Sequence, residues 1–167
     1  MARRPNTNHI LVAGLGNELL RDDGVGIHAV RLFLQTQSRL GANMIVAEIG
    51  TAVLDALHLI EWADYVLAID AMQAGGPPGS VYAAPAADIE PGNKRQGGLH
   101  ELNLLAALRL MPAGPQPQIT ILGVEPEVIA FGLDLSPRVE AALPRVVDEA
   151  RNLITKWSGA DNLTPAE

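Results

Sequence analysis

Residues 10–26 read Ile-Leu-Val-Ala-Gly-Leu-Gly-Asn-Glu-Leu-Leu-Arg-Asp-Asp-Gly-Val-Gly, and this stretch decides the fold. Its first four residues form an unbroken apolar run, which is typical of a strand buried on both faces. Gly14 and Gly16 then predict a tight loop. The apolar residues that follow recur at helical spacing, namely Val25, Ile27, Val30, Phe33 and Leu34. The stretch therefore predicts a strand, a glycine loop and a helix that begins near Asp22 and Asp23.

The glycine loop is similar to a dinucleotide-binding turn but lacks its third glycine. Leu19 stands where the G-x-G-x-x-G pattern requires that residue. Asp22 and Asp23 would repel a phosphate, whereas carboxylates suit a cation, so the loop favours a metal over an anion. The structural alternative makes Asp22 the N-cap of the helix and Asp23 a first-turn acid without a ligand. Under either reading, we expect Asp22→Ala to cost a helix cap, about 1 kcal/mol.

Composition narrows the class of protein. The chain has 167 residues, of which 48% are hydrophobic, and this predicts one domain over 1–167 with a core at about 9–157 and a flexible tail at 158–167. Cysteine is absent, which removes disulfides, thiolate ligands and cysteine nucleophiles. A net charge of -7 argues against a nucleic-acid partner. Because no apolar run approaches the ~18 residues of a membrane span, we expect a cytoplasmic protein without membrane insertion.

The rest of the chain alternates predicted strands with predicted helices. Strands are predicted at 43–49, 65–69, 80–84 and 118–124, and helices at 52–63, from 100 to 111 and from 137 onward. Thr51 and Ser136 are predicted as N-caps of the second and the last helix. The alternation predicts a three-layer α/β/α sandwich with a mostly parallel five-stranded sheet. We expect the strand order 2-1-3-5-4, with the fourth strand antiparallel at the edge.

Two further polar residues stand where the strands end or helices begin. Asp70 follows the apolar strand at 65–69. Open parallel sheets have their functional crevice at the carboxyl ends of the strands, so Asp70 would stand at such a site. The structural alternative is that Asp70 only caps a turn. His100 opens a helix after a long loop at 85–98, which is a candidate lid or partner-binding loop, or else a tolerated surface insertion. Leu104 occupies the second histidine position of an H-E-x-x-H zinc motif, so that motif is absent. A single histidine can still join distant carboxylates as a metal ligand.

Together these pieces resemble the hydrogenase maturation proteases. The matching segments are Gly14-Leu-Gly-Asn17 with Asp22-Asp23-Gly24-Val-Gly26, Ile69-Asp70-Ala71, the helix that opens on His100, and Gly123-Val-Glu-Pro126 with Leu135-Ser136 and Val139. The resemblance extends from about residue 9 to residue 155. Members of that family are single α/β domains that remove a short C-terminal peptide from the large subunit of a nickel-iron hydrogenase once nickel has been inserted.

The resemblance implies that Asp23, Asp70 and His100 are the nickel-recognising and catalytic residues. Two carboxylates and one imidazole suit a borderline divalent ion such as nickel or zinc. The implied partner is the hydrogenase large-subunit precursor, which brings the nickel, and we expect a monomer that does not itself hold a metal tightly. The segment Glu48-Ile49-Gly50-Thr51 departs from a glycine-richer version in some members, so the resemblance implies no role for Glu48.

Two other functions compete with the protease. A peptidyl-tRNA hydrolase also begins with a strand and a Gly-Leu-Gly-Asn turn, but Asp22, Asp23 and the acidic composition oppose an RNA-linked substrate. A non-catalytic nickel-binding assembly factor would only inspect the hydrogenase metal. Cleavage of a purified precursor separates that factor from a protease.

Overall fold

A computed structural model describes residues 8–89, 99–158 and 163–165, without the side chains of 38, 99–103, 105 and 163–165. The described strands are β1 (Ile10–Leu15), β2 (Gln37–Leu40), β3 (Met44–Gly50), β4 (Tyr65–Ala71), β5 (Val81–Pro85), β6 (Gln118–Val124) and β7 (Leu163–Pro165). The described helices are α1 (Val25–Gln35), α2 (Leu57–Trp62), α3 (Leu99–Leu110) and α4 (Pro137–Ser158). Short 3-10 turns lie at Arg21–Gly24, Val53–Ala56 and Ala86–Asp88. In this part of the chain, no helix is both long and apolar enough to cross a membrane.

Five of the strands form one sheet in the order β3-β1-β4-β6-β5. The pairs β1–β3, β1–β4 and β4–β6 are parallel, and only β5 runs antiparallel, at the edge beside β6. The predicted strand order and the predicted antiparallel edge strand are therefore confirmed. Because β4 is the central strand, its carboxyl end lies in the middle of the edge where parallel α/β proteins place their sites.

Alternate residues of β1 enter two separate cores, one on each face of the sheet. Ile10 and Val12 pack in the cluster that α1 and α4 cover, whereas Leu11 and Ala13 pack in the cluster that α2 and α3 cover. Both faces of β1 are thus buried, which explains its continuous apolar sequence. The predicted three-layer α/β/α sandwich is confirmed.

Some local predictions differ from the structure. The predicted helix at 52–63 is divided into the 3-10 turn and α2, and the turn begins after Ala52 without a side-chain cap, so the predicted cap at Thr51 is wrong. The sequence predicts neither β2 nor β7, which pair antiparallel in a second, two-stranded sheet. Of the predicted tail at 158–167, Ser158 ends α4 and 163–165 form β7. Of the predicted loop at 85–98, residues 90–98 lie outside the described part of the chain.

Two glycines let α1 approach the sheet closely. A Cβ atom on Gly26 would lie 2.8 Å from the backbone nitrogen of Leu15 and would collide with the carbonyl oxygens of Leu15 and Ile69. A Cβ atom on Gly14 would lie 2.8 Å from the side chain of Val30. The start of α1 therefore rests directly on the ends of β1 and β4, which brings the acidic turn before α1 against the end of the central strand.

We expect Gly26→Ala to lower the free energy of unfolding by about 3 kcal/mol, because the added methyl group would force backbone apart in a packed core. Gly114→Ala is the matched control, since a Cβ atom there would meet nothing within 4 Å. Denaturant unfolding of both variants measures the difference. Equal stabilities of the two variants would contradict the close approach of α1 to the sheet.

Candidate active site at the carboxyl edge of the sheet

Asp23 lies in the turn that connects β1 to α1. Gly16 leaves the strand with a φ of 113°, and Asn17 follows it. The backbone N–H of Asn17 donates to Oδ2 of Asp23 at 3.0 Å, while Oδ1 of Asn17 accepts a hydrogen bond from the backbone N–H of Leu19 at 3.0 Å. These bonds fix both the loop and the orientation of the Asp23 carboxylate. The side chain of Asp23 is half-buried, so it remains accessible from the edge of the sheet.

Asp70 is the penultimate residue of the central strand β4. Across the sheet, Asp70 pairs with Gly123 of β6. The residue before it, Ile69, pairs with Gly14 of β1. The side chain is completely buried, and its Oδ1 accepts a hydrogen bond from the backbone N–H of Ala71 at 2.8 Å. The predicted position of Asp70 at a strand end is therefore correct.

Gly16 separates these two acidic residues. A Cβ atom on Gly16 would lie 3.4 Å from Oδ1 of Asp70 and would collide with the carbonyl oxygen of Asp23. The backbone of Asp23 and the carboxylate of Asp70 thus flank the same glycine. Any larger residue at this position would fill the space beside Asp70, and its φ disfavours other residues as well.

His100 is the second residue of α3. This helix packs against the 3-10 turn Val53–Ala56, and residues 111–117 lead from its end to the amino end of β6. Because α3 ends where the chain leads to the amino end of β6, and its twelve residues span about 18 Å, its first turn lies toward the carboxyl edge of the sheet. The side chain of His100 lies outside the described part of the structure, so its role as a ligand stays a prediction. Among the side chains that are described, no three of the types His, Cys, Asp and Glu are grouped closely enough to hold a metal.

Asp22 has a different role from the predicted one. It is fully buried, and neither the 3-10 turn nor α1 begins with a side-chain cap, so the predicted N-cap is wrong. Its Oδ1 accepts a hydrogen bond from the backbone N–H of Ser136 at 2.7 Å. Its Oδ2 accepts from the backbone N–H groups of Glu127 and Val128, at 2.9 and 2.8 Å, and from the hydroxyl of Ser136 at 2.8 Å. Asp22 therefore holds the segment between β6 and α4 against the turn that carries Asp23.

The environment of Asp22 keeps its carboxylate ionised. Burial by itself would raise the pKa of Asp22, but the hydrogen bonds from Ser136, Val128 and Glu127 outweigh burial and lower the pKa below its ordinary value. A carboxylate with a lowered pKa stabilises the fold above its unfolded-state pKa, and this stabilisation is lost as the pH falls through the folded-state pKa.

Glu125 is a buried carboxylate that the sequence did not indicate as a site residue. It follows β6 directly and accepts hydrogen bonds from the backbone N–H groups of Ala74 and Gly75, at 2.8 and 3.3 Å. The hydroxyl of Tyr82 donates to the same side chain at 3.2 Å. Glu125 therefore fixes the loop that follows Asp70. The only signal in the sequence is its place in the Gly123-to-Pro126 block, which carries no information about these partners.

Glu48 also acquires a role that the sequence left open. Nε and Nη2 of Arg31 donate to the two carboxylate oxygens of Glu48 at 3.0 and 2.9 Å. Nη1 of Arg31 donates to Glu18 at 2.8 Å. The three side chains are partly exposed, so they stabilise the fold only modestly, but the bidentate geometry joins α1, β3 and the glycine loop.

The fold and these residues define an α/β/α protein with an acidic site at the carboxyl edge of its sheet, which suits cation binding or acid–base chemistry. The family model HycI, described as hydrogenase maturation protease, matches residues 27–153, and the chain belongs to this family. The matched residues include Asp70 and His100 and begin shortly after Asp23. The predicted family and the predicted class of enzyme, a hydrolase of peptide bonds, are confirmed.

Relatives and solved structures agree with this assignment. The chain is 28% identical to the hydrogenase expression/formation protein HoxM of Cupriavidus necator, and the alignment covers 95% of this chain and 82% of HoxM. The structure is similar to that of the hydrogenase maturating endopeptidase HybD from Escherichia coli, with a TM-score of 0.80, 25% identity, and coverage of 94% of this chain and 97% of HybD. It is also similar to the [NiFe] hydrogenase maturation protease HybD from Thermococcus kodakarensis, with a TM-score of 0.73, 26% identity, and coverage of 87% and 98%.

We expect Asp22→Asn to lower the free energy of unfolding by about 3 kcal/mol at neutral pH. The variant replaces one carboxylate oxygen with an NH2 group, and this donor would face groups that are themselves hydrogen-bond donors. The gap between wild type and variant should narrow as the pH falls below about 4, because Asp22 of the unfolded chain then takes up a proton while its lowered pKa keeps the folded carboxylate ionised. Asp148→Asn is the matched control, since Asp148 pairs with Arg151 on the surface. Denaturant unfolding at neutral pH and at a pH below about 4 measures these differences. A loss near 1 kcal/mol at neutral pH would instead fit the simple helix cap.

Proposed function

We propose that this protease removes the C-terminal peptide of a nickel-iron hydrogenase large-subunit precursor after nickel insertion. Asp23, Asp70 and His100 recognise the nickel that the precursor carries. Membership of the hydrogenase maturation protease family supports the class of reaction, and the Thermococcus relative is named for a [NiFe] hydrogenase. The observation that carries the proposal is the position of the Asp70 carboxylate, which lies across Gly16 from the backbone of Asp23, near the end of the central strand.

The proposed ligands fit nickel by their chemistry. Carboxylate oxygens and an imidazole nitrogen bind borderline divalent ions, and three ligands from the enzyme leave positions for the groups with which the precursor already holds its nickel. Gly16 contributes by having no side chain, because a Cβ atom there would occupy space beside Oδ1 of Asp70. Asn17 contributes by orienting the carboxylate of Asp23 through its backbone N–H.

In this proposal, nickel belongs to the substrate. The chain contains no cysteine, so it offers no thiolate to compete for the metal. Two carboxylates near each other at a partly buried edge repel one another, and a cation relieves that repulsion. Affinity for the precursor should therefore rise when nickel is present, because the enzyme gains a favourable charge interaction only then.

In this proposal, three residues hold the precursor in position during cleavage, namely Asp23, Asp70 and His100. By ligating nickel from one side, they hold the nickel-carrying part of the precursor at the carboxyl edge of the sheet. The C-terminal peptide that is to be removed then lies along this edge. When bound, the metal supplies a Lewis acid that can polarise a carbonyl group or a water molecule. Loss of any one ligand should weaken both the recognition and the orientation of the scissile segment.

We expect the enzyme to cut nickel-loaded precursor and to leave nickel-free precursor uncut at any enzyme concentration. Chelator treatment of the enzyme alone, followed by removal of the chelator, should leave its activity intact. The mass of the precursor's C-terminal region measures the reaction. Efficient cleavage of nickel-free precursor would contradict nickel recognition, and binding without any change of mass would favour the non-catalytic assembly factor.

We also expect Asp23→Asn, Asp70→Asn and His100→Ala each to reduce processing by at least about 100-fold while the melting temperature changes little, because each removes a metal ligand. Asp148→Asn and His58→Ala are matched controls at exposed positions and should process at the wild-type rate. Precursor cleavage beside a thermal melt measures both properties. Normal processing by Asp70→Asn would exclude its role as a ligand.

A further inference from the structure

Four large apolar side chains are exposed beside the candidate active site. They are Leu19, Ile129, Phe131 and Leu133, whose exposed fractions are 57%, 47%, 90% and 61%, and we call them the apolar rim. Leu19 lies in the loop after β1, four residues before Asp23, and the other three lie between β6 and α4. Single exposed apolar residues are ordinary, but a group of them marks an interaction site in soluble proteins.

Backbone hydrogen bonds join the two segments of the apolar rim into one surface. The N–H of Gly132 donates to the carbonyl oxygen of Leu19 at 3.0 Å, and the N–H of Arg21 donates to the carbonyl oxygen of Gly132 at 2.9 Å. Leu20 and Gly132 form a parallel bridge. Phe131 and Leu133 flank Gly132 in the sequence, so both stand next to the loop that leads to Asp23.

Hydrogen bonds and one buried side chain fix the backbone under the apolar rim, whose side chains are exposed. Asp22 holds Val128 and Ser136 at the two ends of the segment, and Nε of Arg21 donates to the carbonyl oxygen of Asp134 at 3.1 Å. Leu135 is buried in the core. Because the backbone is anchored on both sides of Phe131, we expect this ring to stay on the surface, where it is 90% exposed.

The position of the apolar rim next to the candidate active site indicates which partner binds there. A protein whose C-terminal region reaches Asp23 and Asp70 must also lie over the adjoining edge of the sheet, where Leu19 and Phe131 are. Apolar and aromatic groups at the centre of an interface provide most of its binding energy, and three metal ligands alone offer little contact area to a protein substrate. We infer that the apolar rim docks an apolar surface of the hydrogenase large-subunit precursor, an inference that rests on the proposed function above.

The test compares a rim variant with a matched control. Phe131→Ser combined with Leu133→Ser should raise the KM for nickel-loaded precursor about tenfold and leave kcat at saturation unchanged, because docking is weakened but the site is intact. Leu110→Ser is the control: Leu110 is 66% exposed, but it ends α3 where the chain leads to the amino end of β6, whereas the site lies at the carboxyl edge of the sheet. Its KM should equal that of wild type. Thermal melts should be the same for all three proteins, since every substituted side chain is exposed.

The possible outcomes separate this inference from the proposed function. If wild type cuts the nickel-loaded precursor and the rim variant shows an unchanged KM, the docking inference is wrong while the proposed function stands. If wild type does not cut the precursor, both are wrong. Sedimentation of wild type and variant checks for a second copy of this chain on the apolar rim. A dimer that the substitutions dissociate, with KM unchanged, would show self-association and overturn the inference.

Discussion

The buried carboxylate of Asp22 is the constraint on which the site depends. A carboxylate without exposure is strongly unfavourable unless hydrogen bonds replace its water, and Asp22 receives four of them from Glu127, Val128 and Ser136. These partners lie more than 100 positions away along the chain. Both the turn after β1 and the connection before α4 must therefore adopt one geometry together. Asp23 is covalently next to Asp22, so the same constraint determines where the candidate ligand stands.

Neighbouring acids at this edge have opposite roles because the backbone presents them to different surroundings. Asp22 is directed into the protein and satisfied by donors, which suits a structural group. Asp23 is half-buried and held by the backbone of Asn17, which leaves it accessible. On the neighbouring strands, Glu125 secures the loop after β4, while Asp70 is completely buried and lies beside Gly16. Structural carboxylates thus support the elements that carry the proposed ligands.

The sequence predicted most of the fold and the position of the carboxylates, and for identifiable reasons. Apolar runs show buried parallel strands clearly, and a polar residue directly after such a run, as at Asp70, marks the carboxyl edge. The partners of Asp22, Glu125 and Glu48 were not predictable, because they are distant in the sequence and follow no local pattern. The pairing of β2 with β7 was missed for the same reason, since a three-residue strand gives no periodic signal.

The most direct measurement of the proposed site is anomalous diffraction at the nickel edge from crystals of this chain soaked in a high concentration of Ni²⁺. High concentration is needed because three N and O ligands without a thiolate predict weak binding in the absence of the precursor. The proposed site predicts one nickel ion within coordination distance of carboxylate oxygens from Asp23 and Asp70 and of a ring nitrogen from His100. Nickel bound elsewhere, with the His100 ring remote from the Asp70 carboxylate, would contradict the proposed site.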